Sequence, residues 1–422
     1  MASPSSTNHR SNMVAAGFGN LLEWYDFGVY GFFAVIIGQH FFPSDDPFAS
    51  LLSAFGVFAV GYGARPVGAL VLGNLGDKIG RKPVMMLSLA VMGLATFAIG
   101  LLPGFDQIGD AAPLLLVALR LIQGFVVAVE SPASTVFLVE QAPAGRRGFH
   151  SSWTMFGAML GILLGSAIGA LVSSVLSDAA LHDWGWRVPF LLSLLLTAVG
   201  LFFRRNLVES PAMAEAEPQQ GLPVIAALRD HLSSLLCYIG LIAMSGVGFY
   251  LAYVYAVSDL TQHMKLSTAE ALDINSLALF SILIVVPLAG ALSDRVGRRP
   301  LALTAALGTL ILAWPLWWLM HQDSFGLILL GQVGFAVFFG AGWAVYTLMI
   351  TEALPLRARC SVVAIGNGIA YGIFGGLTPL VATYLVKRTA DDFAPVYIIM
   401  ALAVLSLFAC LKIPERAHHE SI

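Results

Sequence analysis

Apolar residues run through this chain in long unbroken stretches rather than in alternation. Twelve runs stand out, at 14–40, 49–74, 83–104, 112–138, 150–176, 185–204, 232–260, 268–292, 300–320, 324–351, 359–386 and 393–413. About 20 apolar residues, each rising 1.5 Å in a helix, cross the hydrocarbon core of a bilayer. A transmembrane strand would instead alternate over about ten residues. The pattern predicts an all-α membrane protein with twelve transmembrane helices.

The polar positions fall between the runs, and they repeat. Gly73-Asn-Leu-Gly-Asp77-Lys-Ile-Gly80-Arg81-Lys82 returns 217 residues later as Gly290-Ala-Leu-Ser-Asp294-Arg-Val-Gly297-Arg298-Arg299. A second pair keeps nearly that offset: Glu140, Pro143 and Arg147 return 212 residues later as Glu352, Pro355 and Arg359. Each copy joins two apolar runs, so the chain reads as a duplicated membrane unit. Secondary transporters are commonly built from such parallel repeats. The predicted organisation is a six-helix half over 1–204, a polar cytoplasmic linker over 205–231 and a second six-helix half over 232–422, the two bundles being pseudo-symmetric.

Composition agrees with a lipid environment. The chain is 58% hydrophobic and only 11% charged, where a soluble domain carries about 25% charged residues. Its mean hydropathy is +0.82. The polar first 13 residues carry no separate apolar core with a cleavage site, so no signal peptide is expected. Lys and Arg gather on one side of the membrane in short loops. With a cytoplasmic N-terminus, 16 of the 22 lie inside, while Arg187, Lys265, Lys387 and Arg388 lie outside. Both termini are therefore expected in the cytoplasm. The net charge of −3 and the lack of a basic tract speak against nucleic acid as a partner. Cys237, Cys360 and Cys410 show neither metal-ligand spacing nor a disulfide framework. No nucleophile–base set appears, so no catalytic residue, no metal and no cofactor is expected, and the chain is not read as an enzyme.

Arg65 and Arg120 lie inside apolar runs. Ionisable groups at membrane depth are costly, and each is a candidate for function. Asn20, Glu23 and Asp26 stand three residues apart in the first helix and share a broad face. Arg65 lies twelve residues before Asp77, about 18 Å from that loop and near mid-membrane. The fourth run carries Arg120, Gln123 and Glu130. Arg120 and Glu130 stand about 15 Å apart along their axis, so each needs a partner on another helix. The economical solution pairs both arginines with Glu23, Asp26 or Glu130 across a cavity. All these charges fall in the first half. The second half offers Tyr250, Tyr253, Trp343, Tyr346, Asn367 and Tyr371, as pairs one helical turn apart. Proton or charge chemistry is thus expected from the first half, and aromatic and amide contacts from the second. The histidines fall near helix ends, which leaves carboxylates as the proton carriers. A Glu whose Arg partner is taken by an anionic substrate gains a proton, because a nearby Arg lowers a carboxyl pKa and burial raises it.

The repeated loops have a physical reading of their own. Asp77 and Asp294 suit a helix N-terminus or an Arg, and Arg81 and Arg298 suit a helix C-terminus or a Glu. Glu140 with Arg147, and Glu352 with Arg359, are the natural partners within each half. Such contacts would latch the cytoplasmic side. Gly157, Gly161, Gly165 and Gly169 in the fifth helix let two backbones approach closely.

On these residues the chain resembles the major facilitator superfamily, whose signature loop matches 73–82 and 290–299, and whose helix-four motif matches Arg120-Leu-Ile-Gln123-Gly124. A narrower likeness is to the metabolite:proton symporters. It is carried by Gly19-Asn20-Leu-Leu-Glu23-Trp24-Tyr25-Asp26-Phe27, Arg65-Pro66-Val-Gly68, Trp184-Gly-Trp186-Arg187-Val-Pro189-Phe190, Glu209-Ser-Pro211 and Phe374-Gly375-Gly376-Leu-Thr378-Pro379. The resemblance implies a bacterial inner-membrane carrier, alternating access and inward proton symport. Where that family commonly has Gly-Gly-Glu in helix four, this chain has Ala128-Val129-Glu130, followed by Ser131-Pro132. The expected cargo is a small organic carboxylate, citrate-like or dicarboxylate, since a guanidinium forks onto a carboxylate. The alternatives are a zwitterionic osmolyte such as proline or betaine, held by cation–π contacts, and proton-driven efflux of a drug or siderophore. Gly157-Ala158 and Gly161-Ile162 replace the Gly-Pro that antiporters tend to carry in helix five, which disfavours efflux. The few residues after Pro414 leave no room for a coiled-coil tail, which weighs against an osmosensor. A monomer in the lipid bilayer is expected.

Overall fold

The computed structural model describes residues 20–65, 67–68, 71–72, 81–127, 134–136, 138–139, 142–143, 145–204 and 229–416. Its helices follow the apolar runs. The first run is a pair, α1 (Asn20–Phe32) and α2 (Ala34–Phe41), bent by 67°. Next come three shorter apolar helices, α3 (Pro47–Gly63), α4 (Arg81–Leu101) and α5 (Ala111–Val127). The fifth run is α6 (Arg147–Val175), and the sixth is again a bent pair, α7 (Asp178–Gly185) and α8 (Arg187–Arg204). The rest are α9 (Leu232–Gln262), α10 (Thr268–Val296), α11 (Arg298–Met320), α12 (Phe325–Ala353), α13 (Ser361–Thr389) and α14 (Ala394–Lys412). Among the described residues, seven helices have the length and apolarity to cross a bilayer, and each bent pair adds one more. With the three shorter helices these are the twelve runs of the sequence. No strand occurs among the described residues. The outward-facing side chains are large and apolar, Leu114, Leu195 and Phe408 among them, as a surface solvated by lipid requires.

Local signals set the helix ends. Asp46 caps α3, accepting from the Phe48 amide at 3.0 Å, with Pro47 as the first helical residue. Ser267 and Glu270 form a reciprocal capping box at the start of α10. Two stretches of wide, π-type turn interrupt long helices: Tyr250–Tyr255 in α9 and Gly368–Gly375 in α13. Such turns concentrate at functional sites, and both of these face the centre of the bundle.

Helix α6 packs along α1 and α10, and small residues make the approach possible. A Cβ at Gly161 would collide with the carbonyl of Leu21 in α1. One at Gly165 would press on Val29 at 3.0 Å, and one at Gly169 on Leu272 of α10 at 3.0 Å. Towards the start of α6, a Cβ at Gly290 would lie 2.6 Å from the Gly148 carbonyl. Polar pins cross the same seam: Asn275 donates to Ser166 Oγ at 3.2 Å, and Ser276 to the same oxygen at 2.9 Å.

Gly161→Val must therefore displace α1 backbone, whereas Gly56 faces open space. Overpacking costs about 1–3 kcal/mol. The melting temperature of purified Gly161→Val is expected to fall by several degrees, and that of Gly56→Val to stay near the parent. Equal melting of the two contradicts the close seam.

Candidate functional site

The charges of α1, of Arg65 just beyond α3 and of α5 meet in the middle of the bundle as two ion pairs. Arg120 Nη1 donates to Asp26 Oδ2 at 2.7 Å and to Gln123 Oε1 at 2.8 Å. Gln123 Nε2 returns to Asp26 Oδ1 at 2.7 Å and reaches Thr96 Oγ1 at 2.9 Å. Arg120 and Asp26 are sealed, at 0% and 1% exposure. Beyond the Phe27 ring lies the second pair, Arg65 Nη2 to Glu23 Oε1 at 3.2 Å. Arg65 keeps 12% exposure, so this pair sits on a rim. Phe27 lies between the guanidiniums, 4.8 Å from Arg65 and 4.7 Å from Arg120. Tyr62 covers Arg65 at 4.2 Å, and Tyr30 covers Arg120 at 4.2 Å. Ring faces stand in for water over cations that a dry site leaves unsolvated.

Rings from the C-terminal helices close over the rim pair. Tyr62 and Tyr250 share a hydroxyl–hydroxyl hydrogen bond. Trp24 lies 5.9 Å from Phe249, 6.5 Å from Tyr250 and 6.1 Å from Tyr371, and Trp343 stands 5.4 Å from Phe249. Trp24 Nε1 and Arg65 Nε are buried and make no hydrogen bond. Two unused donors thus face an aromatic cluster beside an ion pair.

The sequence candidates divide accordingly. Glu23, Asp26, Arg65, Arg120, Gln123, Tyr250, Trp343 and Tyr371 gather at the centre, and buried Asn20 opens the helix that carries Glu23 and Asp26. Three others serve packing. Tyr253 donates to the Gln332 carbonyl at 2.8 Å. The Tyr346 hydroxyl lies near Ser245 and Ser406, against α14. Asn367 accepts from Tyr238 at 2.7 Å. Glu130 lies outside the described residues. Sequence reasoning missed Trp24 and Phe249, which carry no charge to mark them. The expectation that buried charge belongs to the first half is corrected: Asp259, Arg298 and Glu352 are buried too. They lie near helix ends, where apolar runs fade and a charge looks like a loop residue.

The loop charges form a second constellation at one end of the bundle. Asp294 accepts from the Gly148 and Phe149 amides at 2.8 and 3.0 Å, capping the N-terminus of α6. Arg298 donates to Asp294 at 2.8 Å and to Glu352 at 3.1 Å. Arg147 is close enough to Glu352 to act on its charge. Arg359 Nε donates to the Leu354 carbonyl at 3.1 Å. Glu352 answers Arg298 within its own set, and Asp294 bonds both Arg298 and the N-terminal amides of α6, a helix of the first set. Asp77, Glu140 and the Arg81 side chain lie outside the described residues.

Residues 12–216 match the family described as Sugar (and other) transporter, and residues 238–421 match the Major Facilitator Superfamily. The Glycine betaine/proline/ectoine/pipecolic acid transporter OusA of Dickeya dadantii is 35% identical over 421 residues, spanning 97% of this chain and 84% of that protein. The chain belongs to the major facilitator superfamily. This facilitator is also 35% identical to the Proline/betaine transporter of Escherichia coli, over the same shares of the two chains. It is 36% identical to the Citrate-proton symporter of Salmonella typhi, over 93% of this chain and 91% of that one. Its fold matches the proton:xylose symporter XylE bound to 6-bromo-6-deoxy-D-glucose, with a TM-score of 0.78, 19% identity and 97% of both chains covered. It is a multi-pass transporter and not an enzyme.

Removing Asp26 leaves Arg120 charged and sealed, and breaking a buried pair from one side costs about 3–5 kcal/mol. Asp26→Asn is expected to melt well below the parent, and Asp26→Asn with Arg120→Gln to recover part of the loss. A single variant that melts like the parent shows the pair to be unimportant.

Proposed function

We propose that this facilitator is a proton-coupled symporter importing a small zwitterionic osmolyte of the betaine or proline class by alternating access. On the Lys and Arg bias of its loops, both termini face the bacterial cytoplasm and two six-helix halves rock about the central site. The observation that carries this reading is the rim pair Arg65–Glu23 set beside the rings of Trp24, Phe249, Tyr250, Trp343 and Tyr371. Aromatic cages recognise quaternary ammonium groups, and a guanidinium recognises carboxylate. Charge balance supports the choice. The described central charges cancel, with Glu23 and Asp26 against Arg65 and Arg120. A zwitterion adds no net charge to such a site, whereas citrate adds up to three negative ones. The first preference, a carboxylate, assumed two available arginines; Arg120 is held by Asp26 and Gln123 and sealed. A citrate-like cargo remains the second reading, favoured by the citrate–proton symporter relatives.

The coupling follows from the same pair. A substrate carboxylate on Arg65 releases Glu23, and the released carboxylate takes the proton. Loaded with zwitterion and proton, the centre carries one net positive charge, which a membrane potential negative inside draws inward. Return of the empty carrier requires Glu23 to lose its proton and rejoin Arg65.

The test is uptake of radiolabelled glycine betaine and citrate into cells lacking their own carriers. Betaine is expected to accumulate uphill with an imposed proton gradient. Arg65→Gln removes a charge-assisted bond of about 1.5–3 kcal/mol and should raise KM by about 10- to 100-fold. Trp24→Leu should weaken betaine by up to about 30-fold, for a desolvated cation–π contact of about 2 kcal/mol. Glu23→Gln should keep solute counterflow but lose accumulation. Counterflow by citrate alone transfers the site to the second reading, and uphill transport by Glu23→Gln overturns the coupling.

A further inference from the structure

At the end of the bundle opposite Asp294 and Arg298, a cavity of about 150 Å³ opens between the start of α3 and the ends of α9 and α13. That is below the roughly 300–1,000 Å³ of pockets for drug-sized molecules and suits a solute of a few heavy atoms. Its polar lining includes Ser258, Asp259, Gln262, His263, Thr383 and Lys387, with Phe48 as an aromatic wall. Ser258 is 1% exposed and its hydroxyl has no hydrogen-bond partner. Asp259, 3% exposed, is not available to a ligand. It accepts from His263 Nδ1 at 2.8 Å, faces His321 Nε2 at 3.1 Å and receives the Tyr255 hydroxyl at 3.4 Å. Asp392 stands 3.9 Å from the same His263 nitrogen. The second nitrogen of His263 is left over. Lys387 reaches across to the first set of helices, 4.0 Å from Asp46 and 5.1 Å above the Phe48 ring.

We propose that this cavity is an entry site for the carboxylate of a small solute, held by Lys387, His263 and Ser258. The buried Asp259 aims His263 and favours its charged form rather than binding the solute itself. Binding would draw Lys387 from Asp46 and so loosen the clasp between the two sets of helices at this mouth. This rests on the proposed transport reading only for the solute's fate, since the site is separate from the central pair.

Affinity should follow pH. The hydrogen bond to Asp259 holds the His263 pKa above its usual value, against burial, with Asp259 and Asp392 adding charge attraction and His321 opposing. His321 is also held up: burial, its largest influence, lowers it, and the Asp259 contact outweighs that. A raised histidine stays protonated below its new pKa and loses its charge as pH rises through it. Carboxylate binding is therefore expected at pH 6 and diminished at pH 8.

The test uses full-length protein in nanodiscs, with Cys237, Cys360 and Cys410 replaced by Ser and a reporter thiol at Gln262→Cys. The central site is disabled by Glu23→Gln with Arg65→Gln, which leaves no lone buried charge. Glycine betaine is expected to slow maleimide labelling of the reporter at least threefold at pH 6 and less at pH 8. Lys387→Gln should abolish the protection, and choline, a cation without carboxylate, should give none. Protection that vanishes in the central double variant, survives Lys387→Gln, or is given equally by choline overturns the proposal. Failure of the parent to take up betaine overturns the transport reading instead, and leaves this binding test intact.

Discussion

Two carboxylate–guanidinium pairs inside oil are the constraint on which this molecule turns. An ion pair at 2.7 Å is worth about 6 kcal/mol at an effective dielectric of about 20, while taking each ion out of water costs several kcal/mol. The pair alone roughly breaks even. The balance is tipped by what surrounds it: Gln123 satisfies the second oxygen of Asp26 and is itself held by Thr96, and the rings of Phe27 and Tyr30 cover the guanidinium of Arg120. The Arg65–Glu23 pair has a longer contact and some exposure. It is the looser of the two, and the proposed solute and proton would act on it.

Everything else positions those pairs. Helix α1 carries both carboxylates, and its place is set by glycines of α6 that admit its backbone. Tyr25 anchors it from another side by donating to the Pro189 carbonyl at 2.6 Å. Phe27 then puts one ring against both guanidiniums, so a shift of α1 is felt by both pairs at once. At the mouths, two unlike closures join the N- and C-terminal sets of helices. The Asp294 end is a buried carboxylate on helix amides, a short-range contact in a dry seam. The Lys387 end is exposed and long, a clasp worth little on its own. The two closures sit at opposite ends of the bundle.

The fold was legible because lipid leaves little choice. Runs of twenty apolar residues must be helices when no water is present to satisfy their backbones, and the duplicated Gly-Asp-Arg loops gave the internal symmetry. The partners of Arg65 and Arg120 were legible as a short list, because so few carboxylates share their depth. Which pairs with which was not, since that depends on helix rotation, and so did the division of the aromatics: Tyr250 and Tyr253 stand one turn apart, yet only Tyr250 faces Trp24. The wide turns of α9 and α13 rotate the side chains that follow them, and nothing in the apolar pattern marks such a turn. Asp259 was missed because it sits where a helix end and a loop look alike; only the arrival of His321 from a distant helix makes it a cluster.

The neutrality of the central site has an energetic consequence for the proposed cargo. A zwitterion crosses the membrane without charge work, so every proton that travels with it carries one positive charge inward. Moving that charge through 100 mV is worth about 2.3 kcal/mol, close to a fortyfold concentration ratio at about 1.4 kcal/mol per tenfold step. A trianion in the same site would need three protons merely to cancel its own charge and would gain nothing from the potential until a fourth was bound. The described centre holds only two carboxylates, and Asp26 is committed to Arg120 and Gln123. Glu23, in the more exposed pair, offers one proton site, fewer than the three protons that would cancel a trianion, and this supports the proposed osmolyte reading.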